Sequence, residues 1–124
     1  MLDRILEPKA FQAASAALDG LSARHAAIAD NIANVNTPGY KRKDVVFEAQ
    51  LAEALQSSRP GSRLPQLVPQ VVRDTATTLR TDGNNVDIER EAVALAENSI
   101  RYEAITEYVA NFFINLKQVI NGAK

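Results

Sequence analysis

In the first third of the chain the larger apolar residues and their substitutes fall at Phe11, Ala14, Leu18, Leu21, His25, Ile28, Ile32 and Val35, in alternating steps of three and four. That spacing keeps one stripe of a helix turned toward a single partner, and it predicts a long helix over residues 9–36 with a coiled-coil seam. Ala13, Ala16, Ala17, Ala23, Ala26, Ala27, Ala29 and Ala33 flank the seam. Alanine favours helix and lets neighbouring helices approach closely on more than one side. A second periodic run carries Ile88, Ala92, Leu95, Ser99, Tyr102, Thr106, Val109, Phe113, Leu116 and Ile120, and predicts a longer helix over residues 87–121. Asp87, Glu89 and Glu91 stand in its first turns, where carboxylates cap free N–H groups and suit the positive end of the helix dipole. Asn121-Gly122 supplies the stop.

A further stripe, Ile105, Phe112 and Val119, runs beside the second seam and makes the apolar face wider than one partner helix covers. Either a third helix of the same chain or a neighbouring subunit has to pack there. The intervening residues offer little core. VVFEAQLAEALQ, residues 45–56, reads as a short helix through Phe47, Leu51 and Leu55, and SSRPGSRLPQLVPQ has the Ser, Gly and Pro content of a linker. VVRDTATTLRTDG reads as one or two short strands closed by the Asp82-Gly83 turn.

The expected fold is mainly all-α, one domain over residues 1–124. Two long terminal helices pair as an antiparallel coiled coil, and residues 37–86 form an irregular middle with a turn, a short helix, a linker and a weak β-hairpin. Equal rise per residue in both helices places residues whose numbers total about 122 opposite each other. Burying an apolar stripe gains ~25 cal/mol per Å² while ordering the chain costs ~1.5 kcal/mol per residue, and a bare helical hairpin leaves half of each helix facing water. The isolated chain is therefore expected to be marginal, with neighbours completing its core.

The first helix breaks off in NIANVNTPGYKRKD, residues 31–44. Asn36 is the expected C-terminal cap, because asparagine tolerates the left-handed conformation. Thr37 precedes proline and is pushed out of the helical region, and Pro38-Gly39 fits the centre of a type II turn. Tyr40 is thus thrown off the helix axis, either to cap its own hairpin or to fill a pocket on another subunit. The following Lys41, Arg42 and Lys43 read as a solvated turn or as an anchor for acidic residues of a neighbour. Asn31 and Asn34 lie three apart on the last turn, placed to bond a loop or another chain.

Composition narrows the functional classes. Fourteen basic against fifteen acidic residues give a net charge of −1, which supplies no general pull toward nucleic acid or anionic lipid. There is no cysteine, hence no disulfide framework or thiolate metal site. The lone His25 occupies a seam position with no second histidine to make a metal site, and reads as a structural or interface residue. Glu89 and Glu91 read as dipole partners on a solvated face rather than as an acid–base pair. No phosphate loop, nucleophile elbow or catalytic triad pattern occurs, so no catalytic residue, cofactor or metal is expected, and the chain is not read as an enzyme. MLDRILEPKAF lacks an apolar h-region, so any export is expected without a cleaved signal. No stretch approaches the roughly 20 apolar residues that span a bilayer.

The pattern Asn, small residue, Asn, then Thr-Pro-Gly-Tyr directly after an N-terminal helix resembles the signature of the bacterial flagellar rod and hook proteins. Asn31, Ala33, Asn34, Thr37, Pro38, Gly39 and Tyr40 carry it. DGNNVDIEREAVALAENSIRYEA is similar to the matching region of a proximal rod member, so the likeness spans both long helices. The resemblance implies an axial structural subunit that polymerises through its terminal helices and transmits torque, exported by the flagellar type III apparatus into the rod that crosses the periplasm. It implies self-association and, as partners, other rod subunits and basal-body proteins, including an export-gate or MS-ring adaptor, with no nucleic acid and no membrane insertion. The short middle segment favours a proximal rod subunit over a distal rod or hook protein. The expected assembly interface comprises Leu18, Leu21, Ile28, Ile32, Leu95, Tyr102, Ile105, Val109, Phe112, Phe113, Leu116 and Val119. The alternative is a small helical adaptor or export chaperone of a secretion system, which would use the same amphipathic helices to hold one partner.

Overall fold

The computed structural model describes residues 8–122. The elements in order are helix α1 (Lys9–Ala33), strand β1 (Lys43–Val46), helix α2 (Glu48–Ser57), strand β2 (Gln70–Arg73) and helix α3 (Ile88–Gly122). The two long helices run antiparallel. At one end Asn31 of α1 meets Glu91 of α3, midway the Asn98 amide donates to the Leu21 carbonyl at 3.0 Å, and at the other end Phe11 stacks with Phe112 at 5.2 Å. This is the register that equal helical rise predicts.

The face of α3 turned to α1 differs from the expected seam. Ile88, Tyr102, Phe113 and Ile120 are exposed, whereas Glu91 and Asn98 are buried, Ile105 packs against the core and Phe112 reaches Phe11. The inward line is thus Glu91, Asn98, Ile105 and Phe112, in steps of seven. It is the side stripe of Ile105 and Phe112, continued toward the N-terminus by two polar residues that hydrophobic periodicity cannot register. His25, in turn, lies exposed rather than in a seam.

The groove beside α1 is filled from the middle of the chain. Val45 and Phe47 are buried and form one core with Ala17, Leu21 and Ala27, against which Leu51 and Ile105 pack. Gly20 makes this possible, since a Cβ there would lie 2.4 Å from the Phe47 ring. The Arg24 guanidinium covers the same ring at 5.0 Å, a cation–π contact. Its Nη2 donates to the Val45 carbonyl at 2.6 Å and to Glu48 Oε2 at 2.9 Å. The hydrogen bond from Arg24 lowers the Glu48 carboxyl below the usual carboxylate range, although burial pushes the other way, and the Arg24 guanidinium is correspondingly raised.

The short helix begins at Glu48 rather than Val45, because Val45 and Val46 belong to β1. β2 forms where strand character is expected, but its partner is β1, with Lys43 opposite Arg73 and Val46 opposite Gln70. The sheet therefore closes around α2 and the proline-containing segment instead of folding back through the Asp82-Gly83 turn, which exists separately with Gly83 at φ 84°. Among the described residues no helix is long and apolar enough to cross a membrane.

Candidate assembly site: a polar clasp at the closed end of the helix pair

α1 ends at Ala33 and its cap is Asn34, with φ −106° and ψ 18°. The expected cap at Asn36 in a left-handed conformation is corrected, since among the described residues only glycines have positive φ. The reason lies in side-chain amides, which saturate the terminal carbonyls that a left-handed cap would otherwise serve. Asn34 Nδ2 donates to the Asp30 carbonyl at 2.8 Å, and its Oδ1 accepts from the Thr37 hydroxyl at 3.1 Å. From across the molecule the Asn84 Nδ2 group is shared among the carbonyls of Asn34, Val35 and Thr37, at 2.9, 3.2 and 2.8 Å. Arg80 also donates to the Val35 carbonyl.

The turn that follows has the expected chemistry. Gly39 takes φ 73°, and the Tyr40 N–H closes the turn on the Thr37 carbonyl at 3.2 Å. It returns Tyr40 to its own chain, where the phenol donates to Asn31 Oδ1 at 3.2 Å. Burial raises the Tyr40 pKa.

Asn31 is the centre of the clasp and is fully buried. Its Oδ1 also accepts the Lys43 N–H at 2.7 Å, while its Nδ2 donates to the Lys43 carbonyl at 2.8 Å and to Glu91 Oε2 at 3.1 Å. Both donors and both acceptor sites of the amide are used. It bonds Lys43 as a neighbouring strand would. Asn85 serves Arg42 in a similar way, accepting the Arg42 N–H at 2.7 Å and donating to the Asp74 carbonyl at 2.8 Å.

Glu91 has 0 % exposure, so its position on a solvated face is corrected. A buried carboxylate needs a compensating charge and hydrogen bonds. Arg42 supplies both through Nε, 2.8 Å from Glu91 Oε1. The basic run thus divides by function: Arg42 turns inward, Lys43 pairs with Asp30 at 3.0 Å, and Lys41 reaches the Thr77 carbonyl at 3.1 Å. Asp87 caps α3 as expected, its Oδ1 accepting the Glu89 N–H at 3.0 Å.

The structure gathers Asn31, Asn34, Thr37 and Tyr40 into this clasp and leaves Ala33, Pro38 and Gly39 exposed at its rim. It adds Arg42, Asn84, Asn85 and Glu91, which the sequence pattern does not mark as site residues. The Asn84-Asn85 pair is visible as a polar doublet after a turn, but its long-range partners have no local signature. Of the expected assembly residues, Leu21 and Ile28 are buried within the chain. Leu18, Ile32, Leu95, Ile105, Val109, Phe112 and Leu116 are half-buried, and Tyr102, Phe113 and Val119 are exposed. Among the described residues no group of three or more His, Cys, Asp or Glu side chains is placed to hold a metal ion.

A family described as flagella basal body rod protein matches residues 11–41, which run from the aromatic end of α1 into the clasp. The flagellar basal body rod protein FlgB of Borrelia hermsii is 37% identical over 121 residues, covering 83% of this chain and 89% of that protein. FlgB of Bacillus subtilis is 33% identical over 116 residues, with 87% and 90% covered, and FlgB of Escherichia coli is 32% identical over 119 residues, with 83% and 85% covered. Likeness of this extent takes in both long helices and the clasp between them, and the chain belongs to the FlgB family of flagellar basal body rod proteins.

Proposed function

We propose that this chain is a structural subunit of the proximal rod of the flagellar basal body, that it polymerises through its terminal helices, and that it transmits torque by being packed between neighbours. One observation carries the polymerisation: Val93, Ile100 and Ile114 lie 59%, 68% and 53% exposed on α3, one and then two heptads apart with Glu107 at the step between, on the side away from Glu91 and Asn98. A helix that presents one apolar line to its own chain and a second to solvent is built to receive another helix. Tyr108 and Val119 are also exposed, Val119 at the far end of the inward line and Tyr108 on its flank. Residues Ile105 and Phe112 belong to the internal line, so the neighbour-facing surface is centred on Ile100 and Ile114, while Tyr102, Phe113 and Val119 are exposed on the flanks and end of the internal line.

The clasp has a complementary role. With its hydrogen-bonding groups largely satisfied inside the chain, it holds the closed end of the helix pair while the opposite face of α3 meets neighbours. In this reading the subunit leaves the cytoplasm through the flagellar type III apparatus without a cleaved signal, joins other rod and basal-body proteins, and resides in the rod across the periplasm.

The test replaces the chromosomal gene with variants. Loss of the gene is expected to abolish swimming and rod assembly. Ile100→Asp and Ile114→Asp are expected to be exported yet absent from purified basal bodies, while the exposed, remote Gln56→Ala restores both. A null strain that builds complete rods would sink the proposal. Retention of the wild-type chain in the cytoplasm of a strain with a working export gate would move the reading to an adaptor or chaperone.

A further inference from the structure

β1 and α2 pack on one flank of α1 and leave a groove between themselves and α3. Two cavities follow each other along it, joined at Arg101, which lines both. The first, of about 180 Å³ and nearer the closed end, is polar: Arg24, Arg42 and Arg101 line it together with the Asn98 amide. Arg24 and Arg42 have carboxylates of their own in Glu48 and Glu91, whereas Arg101 has no ion pair among the described residues. Asn98 is 3% exposed, and its Oδ1 accepts no hydrogen bond from the described residues. A buried acceptor without a donor is costly, so this cavity is unfinished in the single chain. The second, of about 310 Å³, is apolar, with Leu21, Phe47, Leu51, Ala104 and Ile105 supplying most of its wall. On α3 the first cavity spans Ala94 to Arg101 and the second Arg101 to Ile105, so their centres lie about six residues, roughly 9 Å, apart.

The outward line of α3 carries the same alternation of chemistry. Ile100, Glu107 and Ile114 succeed one another in heptads, roughly 10 Å per step, and Glu107 is exposed with no ion pair among the described residues. We propose that α3 of a second copy lays this line into the groove, with Ile114 in the apolar cavity and Glu107 on Arg101. Asn111, one turn from Glu107 on the same line, brings an amide donor toward Asn98. Glu107 reaches Arg101 in either direction of the incoming helix, with Ile114 or Ile100 filling the apolar cavity. Subunits stacked in a rod share one polarity, which selects the parallel helix and Ile114. The stagger is then about ten residues, roughly 15 Å along the axis. Groove and outward line lie on different faces of the subunit, so the contact is heterologous and repeats from copy to copy in one direction instead of closing on itself. The inference rests on polymerisation through α3 and names the surface that receives it.

The chain has no cysteine, so pairs of single-cysteine variants co-expressed in a strain lacking the native gene test the contact in purified basal bodies under mild oxidation. Ala104→Cys and Ile114→Cys together are expected to give at least about ten times more cross-linked dimer than either alone, because only the mixture brings the two positions within disulfide range. Ile100→Cys in place of Ile114→Cys should give no more than the single variants. Arg101→Glu added to the Ala104→Cys chain should lower the yield about fivefold, and Glu107→Arg added to the Ile114→Cys chain should then restore it. If both chains are present in the basal bodies and the mixture is no better than either alone, the groove is not the receiving surface, and polymerisation through α3 still stands. A larger yield with Ile100→Cys, or a reversed charge pair that fails to recover, would overturn the contact as well. Absence of the chain from basal bodies would remove the rod assignment and this contact with it.

Discussion

The two ends of the helix pair are held by opposite kinds of chemistry. At the closed end Asn31, Arg42, Asn84, Asn85 and Glu91 are bonded in fixed pairings, and a shift of one residue would leave several buried polar groups without partners. At the open end Phe11 meets Phe112 and Phe113, with ring centroids 5.2 and 5.6 Å apart. Aromatic contacts of this kind tolerate sliding and tilting. The contrast separates specification from adhesion: directional bonds decide where each helix begins, ends and faces, and apolar contact holds whatever alignment results.

The largest expected effect lies at the closed end. Glu91→Ala strands Arg42 beside a cavity and removes a bond from Asn31, and breaking a buried pair in this way costs about 3–5 kcal/mol. Denaturant melts should show the loss, and hydrogen exchange should rise across residues 31–43 and 84–91 together. Exchange confined to residues near Glu91 would mean that the clasp is not one cooperative unit. Next, Gly20→Ala places a methyl group into the Phe47 ring and overpacks the core, at about 1–3 kcal/mol. Here exchange should rise in Glu48–Ser57 and β1 while the Asn84 and Asn85 amides keep their protection.

A smaller change is expected from Phe112→Ala, about 1 kcal/mol from the lost ring pairs. It should loosen the last turns of α3 and the start of α1 without altering exchange in the clasp. The smallest concerns pH. The Glu48 carboxyl is held below its unfolded pKa, so its bond to Arg24 contributes stability above about pH 4.5 that is lost as pH falls through the lower folded value. About half of the Glu48 side chain is open to solvent, which keeps the effect slight. Glu48→Gln should lower the melting temperature slightly at neutral pH and converge with the unsubstituted chain in acid, which flattens the acid limb.

What is legible from sequence follows the same division. The lengths and antiparallel register of the long helices are carried by local periodicity and equal rise, and the turn at Pro38-Gly39 by residues that permit few conformations. The rotation of α3 is not legible, because Glu91 and Asn98 occupy its inward line and look like surface residues until Arg42, Asn31 and the Leu21 carbonyl are brought to them. The pairing of β1 with β2 is hidden for a related reason, since the nearest turn signal lies at Asp82-Gly83 and favours a local hairpin. The α1 cap falls at Asn34 rather than Asn36 because the amide of Asn84 arrives from elsewhere in the chain.

That long-range cap has a consequence for the order of events as the chain is made. Synthesis delivers α1 and its asparagines first, and Asn84, Asn85 and Glu91 much later. Until they emerge, the carbonyls at the end of α1 lack their distant donor and Arg42 lacks its carboxylate. A nascent or truncated chain can form helical turns but cannot lock them into the clasp, so completion of the closed end acts as a checkpoint on the presence of the C-terminal half.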